Sequence, residues 1–295
     1  MQITNHILMI RPVDFKFNAQ TAENNKFQVA SVQDDVQDKA LKEFDGFVAL
    51  LRNNGVDVTV IDDTLVPEKR DSIFPNNWVS FHEDGSTFLY PMFSENRRLE
   101  RRKDILDILN EKFDVSHVSD LSFYEFQNQF LEGTGSMVLD RENKVAYACI
   151  SVRTDVDVLS NFCMLSGYKP VYFEAVDGQG FPIYHTNVMM CIGDRFAVIC
   201  SAAIPDAMDR EMVKRSLAGS GKEVIEISID QMNKFAGNML QVAGKAGESL
   251  LIMSEQAYLS LNTEQIAALE KYARIIHSPL YTIEQNGGGS ARCML

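Results

Sequence analysis

Residues 286–295 read Asn-Gly-Gly-Gly-Ser-Ala-Arg-Cys-Met-Leu. Three consecutive glycines free the backbone for left-handed torsions and for close approach to a ligand. A thiol, Cys293, follows them. Chain ends usually fray, so a glycine run with a thiol at this position is expected to be tied down and used. The other four cysteines show what a structural thiol looks like in this chain. Cys149, Cys163, Cys191 and Cys200 all lie among apolar neighbours and read as small core hydrophobes. Cys293 lies instead beside glycines, a serine and an arginine, a setting in which a thiolate can be stabilised.

Other polar groups stand in short clusters along the chain. His185 supplies an imidazole and Glu132 a carboxylate. A thiol, a base and an orienting acid are the parts of nucleophilic catalysis. Arg97 and Arg153 could clamp a carboxylate through two parallel hydrogen bonds. Asp71, Asn76, Asn77 and Asn187 add polar contacts. Each group has an ordinary reading when taken alone. His185 could cap a strand start, Glu132 could be a turn acid, and Arg97-Arg98 could open a solvated helix. Arg153 is less ordinary, because helix starts favour acids. The recurrence of such clusters is what raises them above the ordinary reading.

The elements that must carry these groups repeat. Ile7–Ile10 is an apolar run stopped by Arg11-Pro12, a buried strand. A polar loop, Asn18–Gln28, follows and is expected to cross the surface or a site. Val36, Ala40, Phe44, Phe47, Val48 and Leu51 give residues 36–54 helical spacing, and residues 56–61 alternate as a strand. Hairpins are then expected at 79–90, 137–148, 188–200 and 239–253. Helices are expected near 98–112, 155–166, 206–219 and 263–273. Strands are expected at 223–227 and at 277–283. Polar clusters at 71–77, 132–136, 185–187, 236–238 and 286–293 precede the modules, with a period of roughly 50 residues. A ring of ββαβ modules around one central polar site explains this better than a linear doubly wound sheet. No linker rich in Pro, Gly or Ser divides the chain, so residues 1–295 are read as one domain.

Composition bounds the function. The 295 residues are 45% hydrophobic, enough for a large core. A net charge of −13 disfavours nucleic acid and anionic membranes as partners, while leaving room for a small substrate. No apolar run reaches a membrane-spanning length. The N-terminus lacks a signal-peptide pattern. An odd number of cysteines, mostly in apolar runs, fits a reducing, cytoplasmic compartment. Histidines scattered singly, with no H-E-x-x-H, give no metal site. The glycine run cannot be a dinucleotide loop, since no helix can form behind it. No cofactor is expected. The partner is a small molecule, and a homodimer is compatible with this reading.

At this point the clusters resemble the guanidino-group-modifying enzymes, the superfamily of arginine deiminase, dimethylarginine dimethylaminohydrolase and the amidinotransferases. The resemblance runs through nearly the whole chain in order. It rests on Asp71-Ser72-Ile73-Phe74-Pro75-Asn76-Asn77, Arg97-Arg98-x-Glu100, Glu132-Gly133-Thr134-Gly135, Ser151-x-Arg153-Thr154, His185 and Gly287-Gly288-Gly289-x-x-x-Cys293. The bacterial amidinotransferase-like hydrolases associated with citrulline use are the most similar group. The resemblance implies a five-bladed α/β propeller of ββαβ modules with pseudo-fivefold symmetry. It implies that Cys293 attacks the central carbon of a guanidino or ureido group. His185 then protonates the leaving amine and activates water, with Glu132 tuning it and holding substrate nitrogen. Arg97 and Arg153 would hold an α-carboxylate, and Asp71 an α-amino group.

This sequence departs from the family pattern in ways that bear on substrate. Asn76 and Asn77 stand where acids are common, Asn187 replaces an acid after the histidine, and Gly135 replaces a frequent aspartate. Lost carboxylates weaken the case for a cationic guanidinium. An asparagine both donates and accepts, as a neutral ureido group requires. Citrulline, giving ornithine, is therefore the expected substrate. Dimethylarginine or arginine hydrolysis, or amidino transfer, is the alternative within the family. A non-catalytic binder of arginine-like ligands is the alternative outside it, and the retained Cys293 argues against that.

Overall fold

A computed structural model describes residues 1–30, 35–115 and 117–295. It is a mixed α/β fold of small sheets: one of two strands and four of three strands among the described residues. β1 (His6–Arg11) and β2 (Asp57–Asp62) pair in parallel, with Met9 opposite Val60. Each other sheet has one plan. An antiparallel hairpin comes first, and a third strand then joins the second in parallel. The sets are β3 (Val79–Phe81), β4 (Ser86–Leu89) and β5 (His117–Asp120); β6 (Val138–Asp140), β7 (Val145–Cys149) and β8 (Lys169–Phe173); β9 (Met190–Ile192), β10 (Phe196–Ile199) and β11 (Glu223–Glu226); and β12 (Leu240–Ala243), β13 (Ser249–Ser254) and β14 (Arg274–Ser278).

Parallel neighbours require a crossover, and a helix supplies each one. The crossovers contain Val36–Asn53, Lys103–Asn110, Val156–Ser166, Ala207–Gly219 and Thr263–Glu270. Asp155 caps its helix by accepting from the N–H groups of Asp157 and Val158, and Gly167 ends it in the left-handed region at φ 74°. The apolar hairpin strands β9 and β10 are buried throughout, which matches their unbroken apolar runs. Among the described residues, no helix is long and apolar enough to cross a membrane.

Several segments differ from the sequence expectation, each for a local reason. The helix expected at 98–112 is two pieces, a 3₁₀ turn at Glu95–Glu100 and the helix Lys103–Asn110. The tighter turn brings positions i and i+3 into line, so Arg97 reaches Glu100. The strand expected at 277–283 stops at Ser278, and Tyr281–Gly287 is helical. Pro279 has no N–H to extend the ladder, and the Glu43 carboxylate accepts from the N–H groups of Thr282 and Ile283. Residues 188 and 189, expected to begin a strand, belong to a helical turn, Thr186–Met189, before β9. The polar loop of residues 18–28 contains a short helix, Ala19–Ala22, and buries Asn18, Thr21, Asn25 and Gln28.

The Val36–Asn53 helix packs Phe44 and Phe47 into a cluster with Ile7, Met9, Ile283, Ala291, Cys293 and Met294. The segment that carries Cys293 therefore belongs to the same core as the first strand. Phe44→Ala should destabilise the protein by about 3–5 kcal/mol. Urea unfolding measures this, and a loss under about 1 kcal/mol would contradict a packed helix–core contact at this site.

Candidate active site

The Tyr281–Gly287 helix delivers the glycine run. It ends at Gly288, whose φ of 64° favours glycine, and an added Cβ there would lie 2.4 Å from the Asn25 amide nitrogen. The segment is fastened beyond the helix as well. The Ser290 hydroxyl donates to Glu284 at 2.5 Å, and burial pushes that carboxyl up to about 7. Cys293 follows on a 3₁₀ turn, Ala291–Met294, and is 4% exposed. Two side-chain amides converge on its sulfur. Asn187 Nδ2 and Asn238 Nδ2 each lie 3.3 Å from Sγ. Asn238 also donates to the Asn187 carbonyl and accepts from the Arg292 N–H, so it ties two modules to the nucleophile turn.

Glu132 lies before the helical turn Gly133–Ser136 and is fully buried. Its Oε2 meets His185 Nε2 at 2.7 Å and Arg153 Nη1 at 3.4 Å, while Oε1 accepts from the Phe93 N–H. Burial alone would lift the Glu132 carboxyl. Arg153, His185 and Arg97 overcome that and hold it well below the usual carboxylate range. Burial pushes His185 down to about 4, against the pull of Glu132. The imidazole is therefore neutral at neutral pH. An ionised carboxylate only accepts, so Nε2 carries the hydrogen and Nδ1 keeps a lone pair.

His185 Nδ1 and the Asn77 amide both border Gly135. A Cβ added at Gly135 would lie 2.7 Å from His185 Nδ1 and 2.3 Å from Asn77 Nδ2. An aspartate at this position would overlap both side chains, which gives a physical reason for glycine here. Arg97 Nη1 donates to Asn77 Oδ1 at 2.8 Å. An arginine can only donate, so the amide orientation is fixed and Nδ2 is the free end. Among the described residues, buried Asn77 Nδ2 indeed has no partner, and neither does Asp71 Oδ1 or Asn187 Oδ1.

Both arginines are engaged. Arg97 makes a two-pronged pair with Glu100 at 2.9 and 2.8 Å and lies 3.8 Å from Asp71. Its first work is thus to orient Asn77 and to balance buried acids, where a substrate clamp was expected. Arg153 is over the Tyr184 ring at 5.1 Å and donates to Asn24 Oδ1 at 2.7 Å and to the Thr21 carbonyl at 2.9 Å. Those two acceptors belong to the loop of residues 18–28. The loop also bonds Asp71 through Asn18, Gly288 through Asn25 and the Asn286 carbonyl through Gln28. It covers a cavity of about 20 Å³ lined by Asp71, Asn77, Arg97, Arg153, His185 and Cys293. That is room for about one water.

The structure thus brings Cys293, His185, Asp71, Asn77, Arg97 and Arg153 to one space, with Glu132 directly behind His185. Asn187 stands beside the sulfur. Asn76 points elsewhere, into a separate cavity. Sequence reasoning gave no role to Asn238, Glu100, Tyr184 or the loop side chains. Asn238 had a visible signal, since it opens its module as Asn187 opens the preceding one. Among the described residues no group of three or more His, Cys, Asp or Glu side chains could hold a metal ion.

The His185 shift carries a stability consequence. The native imidazole stays neutral down to about 4, while an unfolded one takes up a proton below its ordinary 6.5. Between those values the unfolded state binds more protons, so stability falls as pH falls. From pH 6.5 to 5 the protein should lose stability more steeply than His185→Gln does, by about 1 kcal/mol per pH unit. Parallel urea-unfolding curves for the two proteins would refute this origin of the shift.

Comparison with known proteins follows this geometry. No curated protein matches the chain in sequence. Among solved structures, the N-terminal domain of ArgZ, an arginine dihydrolase from the ornithine–ammonia cycle in cyanobacteria, superposes with a TM-score of 0.77 at 16% identity over 98% of this chain and 96% of that domain. The chain spans only 40% of full-length ArgZ. Unliganded AgrE gives 0.78 at 18% identity over 98% of this chain and 38% of its own. A dimethylarginine dimethylaminohydrolase adduct with S-methyl-L-thiocitrulline gives 0.64 at 15% identity, covering 99% and 98% of the two chains. These likenesses show a shared fold. A family model described as "N,N dimethylarginine dimethylhydrolase, eukaryotic" matches residues 11–295. That span takes in every residue of the site, and the chain belongs to this family, within the guanidino-group-modifying superfamily.

Proposed function

We propose that the protein is a cofactor-free cysteine hydrolase of an arginine-related amino acid, with citrulline as substrate and ornithine as product. The observation that carries the reading is the trio of Cys293, neutral His185 and ionised Glu132 beside a buried, unpartnered Asn77 Nδ2. In this reading Sγ attacks the ureido carbon, and His185 Nδ1 takes the thiol proton and passes it to the departing nitrogen. A C–S bond forms and a C–N bond breaks. His185 then deprotonates water, which cleaves the adduct and restores the thiol. The carbamic acid so released decomposes to carbon dioxide and amine.

Asn77 Nδ2 donates to the ureido oxygen, as a guanidinium would not allow. Asp71 Oδ1 receives the α-amino group. Arg153 receives the α-carboxylate once Asn24 and Thr21 withdraw, so the loop of residues 18–28 serves as a cover that exchanges its own oxygens for the substrate's. We take the chain as one catalytic domain, a five-bladed propeller closed by residues 286–295 against β1 and β2, working in the cytoplasm. The shared core of Ile7, Met9, Cys293 and Met294 supports that closure.

A second reading has its own support. ArgZ is described as an arginine dihydrolase and AgrE has been seen with L-arginine and with ornithine. Arginine dihydrolysis passes through the same ureido chemistry, so the same site would serve it.

Purified protein is incubated separately with arginine, dimethylarginine and citrulline, with Cys293→Ala as control. Ornithine and ammonia from citrulline, absent in the variant, are expected. Turnover of arginine or dimethylarginine with no turnover of citrulline would overturn the ureido reading while keeping the thiol mechanism. Asn77→Asp should shift the kcat/KM ratio towards arginine by at least about tenfold. An unchanged ratio would count against the role given to Asn77.

A further inference from the structure

A second cavity, of about 810 Å³, lies behind the backbone that carries the nucleophile. It has no lining residue in common with the catalytic cavity. The wall between them is one residue thick at two places. Asn77 and Cys293 line the catalytic side, while their neighbours Asn76 and Arg292 line the other. The turns that carry them, Pro75–Asn77 and Ala291–Met294, pack against each other. Much of the larger cavity is apolar, with Leu8, Val79, Phe81, Phe113, Ile192 and Leu240 in its wall. Its volume suits a small organic molecule.

Two polar side chains facing this space are left without partners. Asn76 is 4% exposed, and among the described residues neither its amide oxygen nor its nitrogen is hydrogen-bonded. Arg292 is 7% exposed. No acidic side chain and no hydrogen-bond acceptor engages its guanidinium among the described residues, and the Cys191 and Cys293 thiols and Arg141 act on its charge. Burial opposes the charge. Arg141, the other arginine in the wall, is bonded to the Phe81 carbonyl and to His82, and the wall acid Asp84 is held by Ser86. A buried cation without a counter-charge is costly, and a planar guanidinium best receives a two-oxygen anion.

We propose that this cavity binds a small amphipathic oxyanion, a carboxylate or phosphate monoester on an apolar body, with its head on Arg292 and Asn76, and that its occupancy reaches Cys293. The route is short. The Arg292 N–H donates to Asn238 Oδ1 at 3.0 Å, and Asn238 Nδ2 lies 3.3 Å from Sγ. An anion that draws on Arg292 therefore acts on a residue that holds the sulfur.

Calorimetric titration of the full chain with hexanoate, hexyl phosphate and hexanol tests this independently of any turnover. Both anions should bind at least about tenfold more tightly than hexanol, and Arg292→Gln should lose that preference while Arg292→Lys keeps part of it. The stronger of the two anions identifies the head group. Leu240→Trp, which fills the cavity, should abolish binding with basal turnover and melting temperature unchanged. Protein alkylated at Cys293 should still bind hexanoate. No binding of either anion at millimolar concentration, equal binding of hexanol, unchanged binding by Arg292→Gln, or loss of binding on alkylation would each overturn the site. The rate of Cys293 alkylation by a haloacetamidine should change at saturating hexanoate in the parent protein and not in Leu240→Trp. An unchanged rate in the parent would overturn the link to the sulfur.

Discussion

The site depends on one buried carboxylate. Glu132 lies out of solvent between His185 and Arg153, with Arg97 near enough to help hold its charge. A lone carboxylate in such a place would take up a proton. Because the arginines keep it ionised, the imidazole beside it has a fixed tautomer and a free lone pair. The arginines need that charge in turn, since each is almost wholly buried. Arg97, Glu100, Asp71, Glu132 and Arg153 form one buried set of two cations and three acids, and removing either arginine leaves a buried acid without its counter-charge.

The fold brings these charges together by repetition. Three of the four three-stranded sheets are entered through a helical turn that carries polar side chains: Pro75–Asn77 before β3, Gly133–Ser136 before β6, Thr186–Met189 before β9. The hairpin strands behind those turns are mostly apolar and buried, so the turns bring polar groups to the site. Asn187 and Asn238, in corresponding places of successive modules, meet at the same sulfur. The repeat is thus what makes the sulfur's surroundings symmetric in chemistry.

Much of this was legible in the sequence, for identifiable reasons. The hairpins showed because their strands are short apolar runs bounded by turn residues. Cys293 and Arg153 showed because each is chemically out of place where it stands, while His185 and Glu132 showed because polar clusters recur at module starts. The split of the 98–112 segment was hidden, because nothing in local spacing reveals that Arg97 must reach Glu100. The helix at Tyr281–Gly287 was hidden because its cap, Glu43, lies far away in the chain. The loop of residues 18–28 read as crossing either the surface or a site, because polar residues fit both; they are buried because they bond to other polar groups. The direction of Arg292 was likewise invisible, since adjacent residues on a turn can face different cavities.

The bonds that complete the site join distant parts of the chain. Asn187 and Cys293 are 106 residues apart, Asn24 and Arg153 are 129 apart, and Asn25 and Gly288 are 263 apart. Loop closure over such spans is unfavourable until the intervening modules are folded. The catalytic arrangement therefore cannot form in any single module, and it belongs among the last contacts to be made during folding. A partly folded chain would hold formed hairpins and an unassembled thiol. Competence to react is in this sense a property of the whole cooperative unit, gained and lost together with global structure.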